Sequence, residues 1–146
     1  MNERLARRSY LKEHRAEYYR RLSAVRLDGD WEGWVSFFLE GVAAAAAQAE
    51  SGIIAIAIAI AGLIATDRRR LLAEPQSGPA SYRLFEMLPM MPRFTIERVR
   101  QSLETSFPTA TAAVRVLEDL GIVTELTGQK KNRSYSYQAY VALLAL

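Results

Sequence analysis

The sequence contains no cysteine and a single histidine, His14. Without cysteine the chain can form neither a disulfide nor a thiolate metal site, which is compatible with a reducing compartment. The first 21 residues also lack the apolar core of a secretory signal, because arginine and lysine recur throughout them. We therefore expect a cytoplasmic protein.

Neither positive nor negative residues are in large excess. The net charge is +3, which permits contact with a polyanion but is modest beside that of a dedicated nucleic-acid binder. The basic surplus is divided between the two ends of the chain. Half of the 146 residues are hydrophobic, enough to bury a core, and we expect two small units.

The first unit is predicted to contain two packed helices. Apolar residues at helical spacing predict a helix over Ser9 to Val25 with arginines on its other face. The string Asp28-Gly29-Asp30 interrupts this pattern, and Asp30 is a suitable N-cap for the next helix. That second helix is expected to pack on the first and to contain, at spacings of three and four, Trp31, Trp34, Phe38, Val42 and Ala45.

An apolar stretch from Val42 to Ala65 follows, interrupted by Gln48, Glu50 and Ser51. Its uninterrupted part, Gly52 to Ala65, is shorter than the roughly 20 residues of a membrane span. We therefore expect a buried helix or an oligomer contact and no membrane association, and we predict a homodimer formed largely by residues 42–65. The alternation of isoleucine and alanine leaves a β-strand as an alternative. The run Asp67 to Arg70 is interpreted as a solvated helix end.

The C-terminal part carries a more informative order of elements. Short helical stripes are predicted around Leu84 to Leu88 and from Thr95 to Leu103, and a third helix begins at Pro108 and ends at Gly121. Two β-prone runs, Ile122 to Leu126 and Ser134 to Tyr137, flank a basic, turn-rich loop. Three helices followed by a β-hairpin are typical of a winged helix-turn-helix. The predicted organisation is mainly α, with a helical segment at 1–73, a linker at 74–80 and a winged helix at 81–146.

In that fold the third helix would enter the major groove of DNA, with the hairpin loop beside it. The residues outside its buried stripe, and the cations of the loop, are the candidate DNA contacts: Thr109, Thr111, Ala112, Arg115, Lys130, Lys131 and Arg133. Arg115 is the best candidate for a base contact, and the loop cations suit phosphates. Glu118 and Asp119 lie beside this face, so a protein partner stays open. Tyr135 and Tyr137 are interpreted as packing residues.

Several segments of the sequence resemble the Fic family. The run from Tyr10 to Tyr19, the Gly29-Asp30-Trp31 turn, Trp34 and the run from Phe37 to Val42 are similar to the part of Fic proteins that follows their active-site motif. The segment Pro108 to Tyr135 resembles the winged helix that many long Fic proteins carry at their C-terminus. Residues 43–80 carry the weakest similarity.

The resemblance implies a parent family of protein adenylyltransferases, which transfer AMP from ATP through a motif of the form HPFxDGNGRxxR. That motif supplies a general base, a magnesium ligand and a phosphate cradle, and it is absent from this sequence. His14 is interpreted as a helix-surface residue, and Asp28-Gly29-Asp30 as a turn and cap rather than a metal site. No cofactor or metal is therefore expected.

The sequence predicts a non-catalytic regulatory or interaction module, with a winged helix that binds double-stranded DNA in transcription regulation or contacts a partner protein. The alternative is a part of an adenylyltransferase whose catalytic motif lies upstream. The chain could equally be a natural truncation, a degraded paralogue or a fragment.

Overall fold

A computed structural model describes residues 10–146. The protein is mainly helical, as the sequence predicted, and it contains a small three-stranded sheet where the sequence predicted only a two-stranded hairpin. Packing contacts divide it into two compact units, one ending at Ala55 and the other beginning at Ile56. The predicted helix start at Ser9 and the arginines at positions 4, 7 and 8 lie outside the described residues.

The described part of the first unit contains α1 (Arg15–Asp28) and the beginning of α2 (Trp31–Ala73). Gly29 ends α1 with a left-handed φ of 69°; its N–H donates to the Val25 carbonyl, and the Asp30 N–H donates to the Ala24 carbonyl. The carboxylate of Asp30 then accepts a 2.9 Å hydrogen bond from the Gly33 N–H. The predicted break and the predicted N-cap are both confirmed.

Aromatic residues hold these two helices together. Tyr18 meets Trp34 edge-on, with ring centroids 5.3 Å apart, and Phe37 is buried. The ring of Tyr10 covers Gly41, where an added Cβ would lie 2.8 Å from a ring carbon. A side chain at position 41 would therefore push the Tyr10 ring away from its present place.

The apolar stretch of residues 42–65 is part of α2, a single helix of 43 residues. The strand alternative is wrong, and so is the prediction of a helix buried within the chain, since Ile53 is 68% exposed and Ile54 is 51% exposed. Only Leu63, Ile64 and the residues after them pack against the core of the second unit. Within residues 10–146, α2 is the one helix long and apolar enough to cross a bilayer by length and composition.

The second unit contains the end of α2 and all the remaining elements. In chain order these are α3 (Pro79–Met87), β1 (Arg93–Thr95), α4 (Ile96–Leu103), α5 (Phe107–Asp119), β2 (Thr124–Glu125), β3 (Ser134–Ser136) and α6 (Gln138–Leu144). Their inward faces form one hydrophobic core that includes Leu84, Val99, Val114, Leu117 and Val123. Thr95 caps α4 as predicted, because its hydroxyl accepts a hydrogen bond from the Arg98 N–H.

The sheet has the strand order β1-β3-β2, with both pairs antiparallel. β3 therefore lies in the centre, and Phe94 of β1 stacks on Tyr135 of β3 at 5.8 Å. The sequence did not predict β1 or α6. Tyr135 and Tyr137 are both buried, which confirms the interpretation of these residues as packing groups.

The last turns of α2 belong to the core of the second unit. Leu71 is fully buried there, and Asp67 is only 4% exposed. The interpretation of Asp67 as part of a solvated helix end is therefore wrong, although Arg68, Arg69 and Arg70 are exposed. Residues 74–78 connect α2 to α3, so the last two residues of the predicted 74–80 linker are the first two of α3, and the boundary between the compact units lies at Ala55 and Ile56.

Candidate nucleic-acid interface

A groove with a volume of about 620 Å³ lies between α5 and the loop that joins β2 to β3. Five of the seven predicted site residues line it, namely Thr111, Arg115, Lys130, Lys131 and Arg133. The structure therefore brings residues of the third helix and the basic loop together. Thr109 and Ala112 are exposed on α5 but do not line the groove.

Helix α5 is oriented by its N-terminal cap and its buried stripe. The hydroxyl of Ser106 accepts a hydrogen bond from the Thr109 N–H, and Pro108 occupies the first turn, where no intrahelical N–H is needed. Ala110, Ala113, Val114 and Leu117 are buried. This packing fixes one side of α5 against the core and leaves Arg115 exposed on another side.

The threonine hydroxyls of α5 are occupied within the chain. Thr111 donates to the Phe107 carbonyl at 2.8 Å, and Thr109 lies 2.8 Å from the Ser106 hydroxyl. Threonine in a helix commonly back-bonds to the carbonyl four residues earlier in this way. Of the predicted site residues on α5, Arg115 therefore keeps the side-chain donors most available for a ligand.

Glu125 organises the loop between β2 and β3. Its carboxylate accepts hydrogen bonds from the Thr127 N–H and the Gly128 N–H, each at 2.8 Å, and from the Thr127 hydroxyl. These hydrogen bonds, above all that from the Thr127 hydroxyl, lower the pKa of Glu125 from its ordinary value. The charged carboxylate is thus the form that closes the loop.

The rest of the loop is held by its own backbone. Gly128 and Asn132 adopt left-handed φ values of 63° and 53°, a conformation that glycine and asparagine tolerate best. Arg133 donates from Nε to the Gln129 carbonyl at 2.7 Å. The loop therefore presents Lys130, Lys131 and the Arg133 guanidinium from a defined turn.

The charge of the groove is predominantly positive. Four cations line it, against the carboxylates of Glu97 and Glu118. Glu97 is engaged by Arg100, whose guanidinium lies 2.7 Å away and lowers the pKa of Glu97 through its hydrogen bonds. Glu118 is the remaining acid in the groove, so an anionic ligand would meet a net positive surface.

Two residues of this site were not predicted from the sequence, Phe107 and Glu125. Phe107 lines the groove beside Thr111 and is 51% exposed, and Glu125 organises the loop. An aromatic residue directly before the proline of a helix start, outside the buried stripe, is a signal that could have identified Phe107. For Glu125 the signal is a carboxylate at the start of a tight turn, because it can accept hydrogen bonds from N–H groups two and three residues later, here those of Thr127 and Gly128.

His14 lies at the N-terminal end of α1, and the Asp28-Gly29-Asp30 string lies at the junction of α1 and α2. His14 is exposed, stacks on the ring of Tyr10 at 4.2 Å and makes a 3.0 Å contact with the Tyr10 carbonyl. Gly29 and Asp30 form the end of α1 and the cap of α2. Across residues 10–146, no group of three or more histidine, aspartate or glutamate side chains is placed to hold a metal ion.

Comparison of the chain with protein-family models and with curated proteins found no match.

Proposed function

We propose that residues 79–146 form a winged helix-turn-helix that binds double-stranded DNA, and that the chain is a non-catalytic regulatory module. The observation that carries this proposal is the groove in which Arg115 of α5 faces the three cations of the β2–β3 loop. A basic cleft between a helix and a hairpin loop suits a DNA backbone beside a helix that enters the major groove.

The order of elements supports the winged-helix assignment. Helices α3, α4 and α5 precede the β2–β3 hairpin. Strand β1 lies between α3 and α4 in the chain and is the third strand of the sheet. Helices α4 and α5 are joined by only three residues, of which Glu104 has a left-handed φ of 50°. A short turn between two helices, with the second one exposed on its outer face, is the helix-turn-helix pattern.

The side chains divide into two roles. The Arg115 guanidinium would contact base edges or a phosphate, while Lys130, Lys131 and Arg133 would contact phosphates and set affinity without reading sequence. With about four phosphates neutralised, affinity should fall roughly a hundred-fold between about 50 mM and 200 mM salt. Thr109, Thr111 and Ala112 would then contribute shape and methyl contacts rather than donors.

A protein partner on the same surface is the second candidate. It is favoured by the half-exposed ring of Phe107 and by the acidic Glu118, because a buried aromatic anchor is typical of protein interfaces and an acid repels phosphates. If the partner is a protein, its binding should depend strongly on Phe107 and only weakly on salt concentration.

The N-terminal unit is proposed to correspond to the end of a Fic domain. Residues that carry the resemblance have structural roles here: Tyr18 packs on Trp34, Asp30 caps α2, and Gly41 accommodates Tyr10. In an intact protein with the catalytic motif upstream, the module would accompany a protein adenylyltransferase. A cytoplasmic location accords with both roles.

Fluorescence anisotropy of labelled random-sequence duplexes, titrated with the full chain at low and at physiological salt, tests the DNA proposal. We expect saturable binding that weakens steeply with salt. The absence of binding at low salt would contradict the DNA proposal and favour the protein-partner candidate, for which Phe107→Ala provides the discriminating variant.

A further inference from the structure

One side of α5 faces the groove. Phe107, Thr111, Arg115 and Glu118 line it, and successive members of this set are three or four residues apart, so they lie on one face of the helix. From the N-terminus to the C-terminus of α5, this face presents a phenyl ring, a threonine, a guanidinium and a carboxylate. Arg115 and Glu118 are therefore the charged part of the surface that α5 turns toward a ligand.

Glu118 differs from the other acid in the groove. The Glu97 carboxylate accepts two hydrogen bonds from the Arg100 guanidinium, at 2.7 and 3.0 Å. Glu118 is half-buried and forms no ion pair with any residue in the described range 10–146. A carboxylate at this place repels phosphates and so does not serve the DNA backbone. It is instead an acceptor available to a ligand that brings its own donor.

The spacing of Arg115 and Glu118 matches the spacing of bases. Three residues of α-helix correspond to about 4.5 Å along the axis, and successive base pairs are roughly 3.4 Å apart. When α5 lies in the major groove, the two side chains therefore reach the same base pair or two neighbouring ones. The guanidinium suits the O6 and N7 acceptors of guanine, whereas a carboxylate only accepts and needs an amino group on a base edge.

The chemistry of the base edges selects cytosine as the partner of Glu118. In the major groove, cytosine presents its N4 amino group, and adenine presents an N6 amino group beside the N7 acceptor. Thymine and guanine present acceptors there. Cytosine is thus the base whose own edge offers a donor without an acceptor next to it. Any other base would leave the carboxylate without a donor, at a cost that disfavours the wrong sequence.

We propose that Glu118 is a specificity-determining residue that accepts a hydrogen bond from the N4 amino group of a cytosine, within one base-pair step of the guanine that Arg115 contacts. This inference rests on the DNA-binding function proposed above. The two kinds of charge in the groove then have opposite effects, because Lys130 and Lys131 strengthen binding to every sequence, while Glu118 weakens binding to every sequence that lacks the cytosine.

Selection from a random duplex library with the full chain gives the preferred sequence, and anisotropy titrations then compare this duplex with one in which the C·G pair is replaced by T·A. The wild type should bind the T·A duplex about ten-fold more weakly. Glu118→Ala should bind both within about two-fold and should bind random duplexes more tightly than the wild type, since a repelling charge is removed. A duplex with pyrimidin-2-one, which is cytosine without its amino group, should reproduce the loss for the wild type alone.

Asp119→Ala is the matched control, because it removes the same charge from an exposed neighbouring position that does not line the groove. It should keep the ten-fold preference for cytosine. Retained binding of random duplexes shows that each variant is folded. A Glu118→Ala variant with the wild-type preference, or a wild type that selects no cytosine within one step of guanine, would overturn this inference and leave the proposed function intact. Failure to bind any duplex at low salt would overturn both.

Discussion

The hydroxyl of Tyr137 donates a 2.7 Å hydrogen bond to Oδ2 of Asp67, a residue 70 positions earlier in the chain. Both groups are buried, and Arg70 pairs with the other carboxylate oxygen at 2.9 Å. The same arginine also donates to the carbonyl of Leu120, at the end of α5. Asp67 and Arg70 thus attach the end of α2 to the segment after β3 and to the C-terminus of α5.

We expect Tyr137→Phe to destabilise the second unit by about 1 to 3 kcal/mol, because the buried Asp67 carboxylate loses a donor while the ring packing is kept. Urea unfolding followed by circular dichroism gives the free energy of unfolding. Tyr140→Phe is the control, since its hydroxyl makes a longer, 3.3 Å bond to the Pro89 carbonyl in a half-buried position. An equal effect of the two variants would contradict this role of the Asp67 bond.

The stability of the second unit should fall at alkaline pH. Burial, and then the bond to Asp67, raise the pKa of Tyr137 above its ordinary value near 10. A raised pKa means that the stabilisation is fully present below about 10 and is lost as the pH rises above it, because the folded state holds the proton more tightly than the unfolded state. Unfolding measured at pH 9 and pH 11 should show a larger loss for the wild type than for Tyr137→Phe.

The two kinds of cation in the groove should differ in their effect on DNA binding. Arg115→Ala should cost about 1 to 3 kcal/mol on a preferred sequence if the guanidinium contacts a guanine edge. Lys130→Ala should weaken all sequences alike and reduce the salt slope by about one. Anisotropy titrations over several salt concentrations measure both quantities.

Thr111→Val is the matched control for these variants, because the Thr111 hydroxyl is donated to the Phe107 carbonyl and is not offered to a ligand. It should leave affinity within about two-fold of the wild type, since valine keeps the shape of threonine. Equal losses for Thr111→Val and Arg115→Ala would show that the assignment of roles on α5 is wrong.

The order of the β2–β3 loop should depend on the charge of Glu125. Its pKa is lowered, so the stabilisation that it gives is present above the ordinary value near 4.5 and is lost as the pH falls below it. We expect the ¹⁵N heteronuclear NOE of Gly128 to drop in Glu125→Ala at neutral pH and in the wild type at acidic pH. Asp119→Ala, an exposed acid of α5, should leave it unchanged.

Adenylyl transfer is not expected from the chain. Incubation with labelled ATP, magnesium and candidate protein targets should give no label above a blank, because the sequence holds no HPFxDGNGR motif to bind and orient the phosphates. Labelling that depends on both ATP and the chain would contradict this expectation, and a His14→Ala variant would then show whether the single histidine takes part.

Features coded by neighbouring residues could be predicted from the sequence. The Asp30 cap, the Gly29 end of α1, the Thr95 cap and the start of α5 near Pro108 each depend on a few adjacent positions. The basic loop and the exposed Arg115 were also predictable, because periodicity separates the buried stripe of α5 from its outer face.

Features that depend on distant partners could not be predicted in this way. β1 is three residues long and exists through its pairing with β3 about 40 positions later, with Phe94 opposite Tyr135. Asp67 has the sequence context of a solvated helix end, and only its contact with Tyr137 explains its burial. The exposure of Ile53 and Ile54 likewise depends on what packs against α2, which an apolar pattern alone does not define.

The closed loop around Glu125 has a thermodynamic consequence. A segment that folds only upon contact with its ligand loses conformational entropy at that moment. The free-energy cost is roughly 1 to 2 kcal/mol for each residue whose backbone is fixed. In this chain Thr127, Gly128 and Arg133 are already bonded within the loop before any ligand arrives. The entropic cost of ordering is therefore met during folding, so that association would need little rearrangement and could proceed at a rate governed by encounter.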